Sequence, residues 1–399
     1  MGQYKKFWYL LVAVLIGAFS ILGYYGFEVY REAPPIPQQY VSESGEKVIT
    51  HDDILHGQTA WQTTGGMQGG SVWGHGAYQA PDWTADWLHR ELTNWLDITA
   101  NQEFGKNFAD LNDEQQTLLK ARLTKEYRGS KVENGTVVLS NTRLAAMEKT
   151  AQYYISLYGD DPATKVTREH FAMKDNTLPD LQARKDLAKF FFWTAWTASA
   201  ERPNTHASYT NNWPHEPLIN NVPTPENVIW SIASVVFLIA GIGFVVWIWS
   251  FKKREDEKEP PTPEFDPLTK LQLTPSQRSL GKYLFTVLAL FVLQVTLGAV
   301  VAHYTVEGQE FYGIDISQYF PYSLVRTWHI QAALFWIAMA FLAGGLFLAP
   351  IINGGKDPKF QKLGVDVLYW ALVVLVVGSF TGSYLAICLL YTSPSPRDR

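Results

Sequence analysis

His329 stands in Arg326-Thr327-Trp328-His329-Ile330-Gln331, at the head of an apolar run that continues to Pro350. An ionisable side chain carried to membrane depth costs free energy unless something binds it, so it is first of all a candidate site. A neutral imidazole is a common iron ligand, which makes a haem b held axially through Nε2 one reading. The other is a histidine hydrogen-bonded to a neighbouring helix. Arg326 lies one turn earlier, where a guanidinium can pair with haem propionates or simply snorkel to the interface. A haem needs a flat slot, and Ala332, Ala333, Ala340, Gly344 and Gly345 keep the same helix slim.

His303, Glu307 and Phe311 form a second constellation, spaced i, i+4, i+8. A helix continuing past Ala302 would put all three on one face. Imidazole and carboxylate there could hydrogen-bond the two hydroxyls of a quinol and take its protons, while the phenyl packs on its ring. An ordinary interfacial helix end is the alternative, and Gly308 interrupts the helical pattern. The Gly-rich stretch 65–78 fits no phosphate-binding fingerprint. Its backbone carbonyls could ligate a hard cation, or the stretch is a tight loop packed by Trp61 and Trp73. His51, His56, His75 and His89 show no helical metal-ligand spacing and read as surface or core residues.

These residues need elements to hold them. Mean hydropathy is close to neutral at -0.08, but the average hides five apolar runs, at 7–25, 228–251, 283–302, 324–352 and 365–387. Each approaches or exceeds the ~20 residues that cross ~30 Å of hydrocarbon. The first follows Lys5 and Lys6 but lacks a small-residue cleavage site, so it reads as a retained anchor rather than a signal peptide. Lys5 and Lys6, Lys252-Lys253-Arg254, and Lys356, Lys359 and Lys362 mark cytoplasmic ends. Residues 31–225 then lie outside the cytoplasm, and His303 and His329 sit near the outer leaflet.

The expected organisation is an anchor at 1–30, an outer domain at 31–225, a transmembrane helix at 226–251, a cytoplasmic linker at 252–280 and three bundle helices at 281–387. Within the outer domain, Asp82 caps a helix over 83–100 that aligns Trp87, Glu91, Trp95 and Ile98. Further helices are expected at 113–127, 141–158 and 181–199, with short strands around the Asn134-Gly135 turn. The net charge of -5 offers no basic stripe for nucleic acid. The single cysteine, Cys388, leaves the outer domain with no disulfide and no Cys-x-x-Cys-His for covalent haem. Residues 388–399, ending Tyr391-Thr392-Ser393-Pro394-Ser395-Pro396-Arg397-Asp398-Arg399, read as translated adapter sequence, and native sequence is expected to stop near Ile387.

The anchor, the Gly65-Gly66-Met67-Gln68-Gly69-Gly70 run, the motif Gly74-His75-Gly76-Ala77-Tyr78-Gln79-Ala80-Pro81-Asp82-Trp83, the outer domain and the 326–331 segment together resemble the quinol-dependent nitric oxide reductases. These are the single-chain branch of the haem-copper oxidase superfamily, and the likeness covers nearly all of residues 1–387. It implies a membrane all-α fold: an anchor helix, an outer, mainly α, cytochrome c-like domain without haem, and the first helices of a haem-copper-oxidase-type bundle, truncated. It implies that His329 is one axial ligand of the low-spin haem b, and that His303, Glu307 and Phe311 belong to the quinol pocket. Gly76 and Tyr78 match a Gly-x-Tyr that helps hold calcium beside the haem propionates in related reductases.

The implied reaction joins two nitric oxide molecules, with two electrons and two protons, into nitrous oxide and water at a high-spin haem b3 and a non-haem iron. The ligands of that centre would lie in later helices, so the chain alone is expected to be inactive. The implied partners are membrane quinol, nitric oxide, the bilayer of a bacterial or archaeal cytoplasmic membrane, and a second copy of the chain. A membrane receptor with an outer sensing domain is the rival reading, though no cytoplasmic output module is visible. A different haem-copper oxidase conflicts with the large haem-less domain in front.

Overall fold

The computed structural model describes residues 5–256, 269, 271–308, 311–314 and 316–389. In chain order these form α1 (Lys5–Arg31), β1 (Gln39–Ser42), β2 (Lys47–Thr50), α2 (His51–Thr63), α3 (Trp83–Phe104), α4 (Asp113–Arg128) and β3 (Thr136–Leu139). Then follow α5 (Asn141–Leu157), α6 (Lys165–His170), α7 (Leu181–Ser199), α8 (Pro225–Asp256), α9 (Pro275–Ser279), α10 (Gly281–Val306), α11 (Tyr322–Ile352) and α12 (Gln361–Tyr384). Of the expected adapter-like tail at 388–399, residues 390–399 lie outside the described residues; 385–389 continue α12 as a π turn.

Local chemistry sets the helix starts of the head domain between α1 and α8. Asp82 accepts from the Ala85 N–H to cap α3. Asn112 and Gln115 cap each other at α4, Ser140 caps α5, and Asp180 caps α7. The helices α3, α5 and α7 then pack aromatic faces together. Trp87 stacks on Tyr154 at 4.9 Å between centroids, and Trp83 stacks on Phe191 at 5.6 Å. Trp83, Trp87, Phe191, Phe192 and Trp196 are all fully buried.

The strands differ from the expectation. The Asn134-Gly135 turn is present, with positive φ at both residues, but the hairpin across it amounts to one bridge from Glu133 to Thr136. β3 instead pairs in parallel with β1, whose other edge takes β2 antiparallel. Burial decides this: the pairing seals Tyr40, Ile49, Val137 and Leu139, and Tyr40 sets its ring edge against Phe192 and Trp196. Helix α2 is a further element beyond those expected, although Thr50 and Asp53 form a capping box at its start.

Among the described residues five helices are long and apolar enough to cross a membrane, which is the architecture of a multi-pass membrane protein. α1 and α8 bury none of their apolar windows, so their side chains face outward. α10, α11 and α12 pack together. At one end of this bundle Lys282 and Ser279 both donate to Asp366, and Ser276 donates to Asp357 through its hydroxyl at 2.6 Å. The opposite end meets the head domain, where Ala172 packs among Leu297, Val301, Tyr304, Tyr322 and Val325.

Candidate functional site

Helices α10 and α11 hold His329 between them, half-buried. Its Nδ1 lies 2.8 Å from the backbone oxygen of Gln294 on α10. A carbonyl can only accept, so Nδ1 carries the proton and the lone pair sits on Nε2. The Gln294 side-chain amide reaches that lone pair only at 3.4 Å, long for a hydrogen bond. Both readings of the residue therefore meet: it is bonded to a neighbouring helix, and the bond leaves Nε2 as the donor atom. A ring nitrogen anchored on a carbonyl is the usual outer-shell support of a ligating histidine.

The surroundings fix α11 from the other side. The Trp328 indole donates to the Phe380 carbonyl at 3.1 Å, and Gln331 donates to Ser383 at 2.9 Å, both on α12. Ala332 is fully buried, while Gly344 and Gly345 have open space where a side chain would stand. Arg326, one turn before His329, lays its guanidinium 3.8 Å from the centre of the Tyr78 ring. Tyr322, one turn earlier, also hydrogen-bonds it, and no carboxylate among the described residues pairs with it.

His303, Glu307 and Phe311 come together, but not as one helix face. Helix α10 stops at Val306, Glu307 is its C-cap, and Gly308 turns the chain with φ +98°. Phe311 folds back so that its ring stacks on the His303 imidazole, with centroids 4.0 Å apart and planes within 5°. The correction is physical: glycine adopts this backbone at little cost, and a second aromatic surface is buried by the return. His303 Nδ1 lies 3.0 Å from Glu307 Oε2, and both side chains keep about two-fifths of their surface exposed. The phenyl thus packs first on the imidazole, leaving its remaining exposed surface for a ligand.

The Gly-rich loop spends its carbonyls on indoles. Trp61 donates to the Gly70 carbonyl, Trp83 to that of Gly69 and Trp213 to that of Gly74. Asp82 gathers the rest, accepting from the Ser71 hydroxyl and the Gly74 N–H. This is a loop packed by tryptophans, Trp61 as expected and Trp83 and Trp213 in addition. Gly76 has a positive φ of 78°, and Tyr78 is largely exposed apart from the contact with Arg326. Among the described residues no three His, Cys, Asp or Glu side chains converge on a metal-sized site.

Two features lie beyond what the sequence alone reveals. Gln294 carries no signal of its own, because an amide on an apolar helix gains meaning only from what faces it. Glu91 falls on the aromatic face of α3 as expected, but its partner comes from elsewhere: Arg143 from α5 bonds it at 3.2 Å, with both side chains almost fully buried. Tyr127 and Trp87 also donate to Glu91, at 2.9 and 2.7 Å. Burial pushes the Glu91 carboxyl up, against the lowering influence of Arg143 and these hydrogen bonds.

Residues 37–215 match the family model for the NorB cytochrome c-like domain of nitric oxide reductase. Residues 278–395 match the one described as cytochrome C and quinol oxidase polypeptide I. The chain belongs to the NorB-type nitric oxide reductases. No curated protein matches it. Membership makes it part of an oxidoreductase family that works with haem and metal cofactors, and places His303, Glu307, Arg326 and His329 all within the oxidase-type region.

Proposed function

We propose that this chain forms the electron-entry side of a quinol-oxidising nitric oxide reductase, with residues 31–225 on the outer face of a cytoplasmic membrane. The observation that supports this most is His329, whose Nδ1–H is fixed on the Gln294 carbonyl so that Nε2 is left as the donor. The residues fit a haem: an imidazole in the ligand tautomer, and Arg326 one turn away, without a described carboxylate partner, for a propionate. A low-spin haem b held there would accept the electrons of quinol one at a time. No described residue is assigned to nitric oxide, to haem b3 or to the non-haem iron, and calcium draws no support from a loop whose Gly69, Gly70 and Gly74 carbonyls accept from indoles and whose Tyr78 ring lies against the Arg326 cation.

The quinol reading rests on His303, Glu307 and Phe311. The His303 Nδ1–H donates to Glu307, which leaves Nε2 to accept one proton of a quinol while the carboxylate accepts the other. Oxidation to quinone releases two protons and two electrons, and the pair can hold both protons. Glu307 also lines an open cavity of about 740 Å³ together with Glu169, His170 and Asp175 of the head domain. Protons reaching the carboxylate therefore have polar groups and water ahead of them on that face.

The test is Glu307→Ala in the assembled enzyme. Loss of a positioned acid–base group should lower quinol oxidation by about 10²-fold, while an artificial donor that reduces the haem directly should work as before. Unchanged quinol kinetics would overturn the assignment.

A further inference from the structure

The approach of His329 to helix α10 depends on a missing side chain. A Cβ built at Gly298 would lie 2.8 Å from His329 Cε1, closer than real Cβ atoms come, and a tight 3.1 Å from Nδ1. Gly298 is four residues after Gln294, whose carbonyl receives the imidazole proton. Helical side chains lean back over the preceding turn, so a methyl at position i+4 covers the flank of the carbonyl at position i. Without it, that oxygen is open to a group from the facing helix. Glycine inside a helix costs about 1 kcal/mol relative to alanine. At Gly344, Gly345, Gly364, Gly378 and Gly382 of the neighbouring helices an added Cβ would meet nothing within 4 Å. Gly298 is different because an imidazole fills its place.

We infer that Gly298 is a positioning residue: its bare backbone opens the Gln294 carbonyl to His329 and so sets the tautomer and aim of the imidazole. The Gln294 side-chain amide completes the arrangement. It sits 3.4 Å from Nε2 and holds the lone pair loosely, as a placeholder that a metal can displace. The consequence for iron rests on the haem-ligand reading of His329; the geometry of the ring does not.

Nitrogen-15 NMR of the histidine-labelled, detergent-solubilised chain at mildly alkaline pH tests the geometry directly. The parent should show His329 as the Nδ1–H tautomer, the opposite of what a free histidine favours. Gly298→Ala should shift it towards Nε2–H, while Gly344→Ala should leave it alone. A parent in the Nε2–H form, or an unchanged tautomer in Gly298→Ala, overturns the inference.

Iron protoporphyrin IX, titrated into the same preparations, tests the consequence. Gly298→Ala should bind it about 10- to 100-fold more weakly, as loss of outer-shell support does. Gln294→Leu keeps the carbonyl, removes the competing amide and should bind at least as tightly as the parent. Equal binding by parent and His329→Ala would overturn the ligand reading while leaving the tautomer result standing. Equal binding by parent and Gly298→Ala, with His329→Ala defective, would overturn the positioning role in ligation alone.

Discussion

The head domain and the membrane bundle both bury polar groups beside aromatic ones, but they finish them differently. Glu91 in the head domain receives Arg143, Tyr127 and Trp87, and the Arg143 guanidinium also lies 4.0 Å from the centre of the Tyr127 ring. Both oxygens of that carboxylate are engaged inside the domain. In the bundle, His329 is anchored through one nitrogen and only loosely met at the other, and Arg326 faces a ring instead of an anion. Closed polarity holds a fold together; polarity left open on one side is what a cofactor or substrate can complete. Burial alone would have ranked Glu91 as the better site. The count of unspent valences reverses that order.

Breaking the closed network should therefore cost stability and nothing else. Glu91→Ala or Arg143→Ala leaves an uncompensated buried partner and should destabilise the head domain by about 3–5 kcal/mol. Urea unfolding followed by tryptophan fluorescence reports it, since Trp87 bonds Glu91. The double change Glu91→Leu with Arg143→Met should lose less than either single change, because no orphaned charge remains. The pH dependence has a definite sign. The raised Glu91 carboxyl binds its proton more tightly folded than unfolded. Its contribution is present below the ordinary glutamate value and fades as pH rises through the folded value. Glu91→Gln should remove that component, and a parent whose stability lacks it would show that Arg143 and the hydrogen bonds offset the burial of the carboxylate in full.

How much of this is legible in the sequence depends on how local the cause is. α10, α11 and α12 announce themselves by apolar length, and His329 by being nearly alone among apolar neighbours. The caps at Asp82, Asn112 and Asp180 act within three residues, and α7 begins and ends where its sequence pattern does. Gln294 and Gly298 are silent in sequence, since only the facing helix separates Gly298 from Gly344. Phe311 reaches its neighbours by a different route, because spacing along an assumed helix cannot register the turn at Gly308. The strand of β3 is legible, but its pairing escapes for the same reason as that of Arg143: its partner β1 lies far upstream, and no short window contains both.

The seam between the two regions offers a second, smaller break. Gly65 has φ +106°, and an added Cβ would press on the Ser323 side chain, 2.8 Å from its Oγ, at the start of α11. Ser323→Val, made on the bundle side because the left-handed backbone of Gly65 admits no side chain without strain in the head domain itself, should strain this contact by about 1–3 kcal/mol, as overpacking does. The expected sign is faster proteolysis in the 307–321 connection with the head domain's unfolding midpoint unchanged. If that midpoint falls as well, the two regions are one cooperative unit, and the contrast between closed and open polarity loses its spatial boundary.

The smallest effect sharpens what a closed valence means within the head domain itself. Asp53 and Asp186 both contact Lys189, at 3.2 and 3.5 Å, yet their carboxyls move in opposite directions. Burial raises Asp186, and Lys189 and Gln182 only partly oppose it. For Asp53 burial also pushes upward, but the N–H and hydroxyl of Thr50 and the Lys189 ammonium outweigh it and hold the carboxyl below its ordinary value. A depressed carboxyl lends stability above the unfolded aspartate value and loses it as pH falls through the folded one. Asp53→Asn should cost about 1 kcal/mol near neutral pH, the usual worth of a helix cap, and should flatten the acid limb of the stability curve. Asp186→Asn should leave that limb intact. Equal acid limbs in the two variants would mean that the shared lysine, and not the capping bonds of α2, sets the behaviour of both carboxylates.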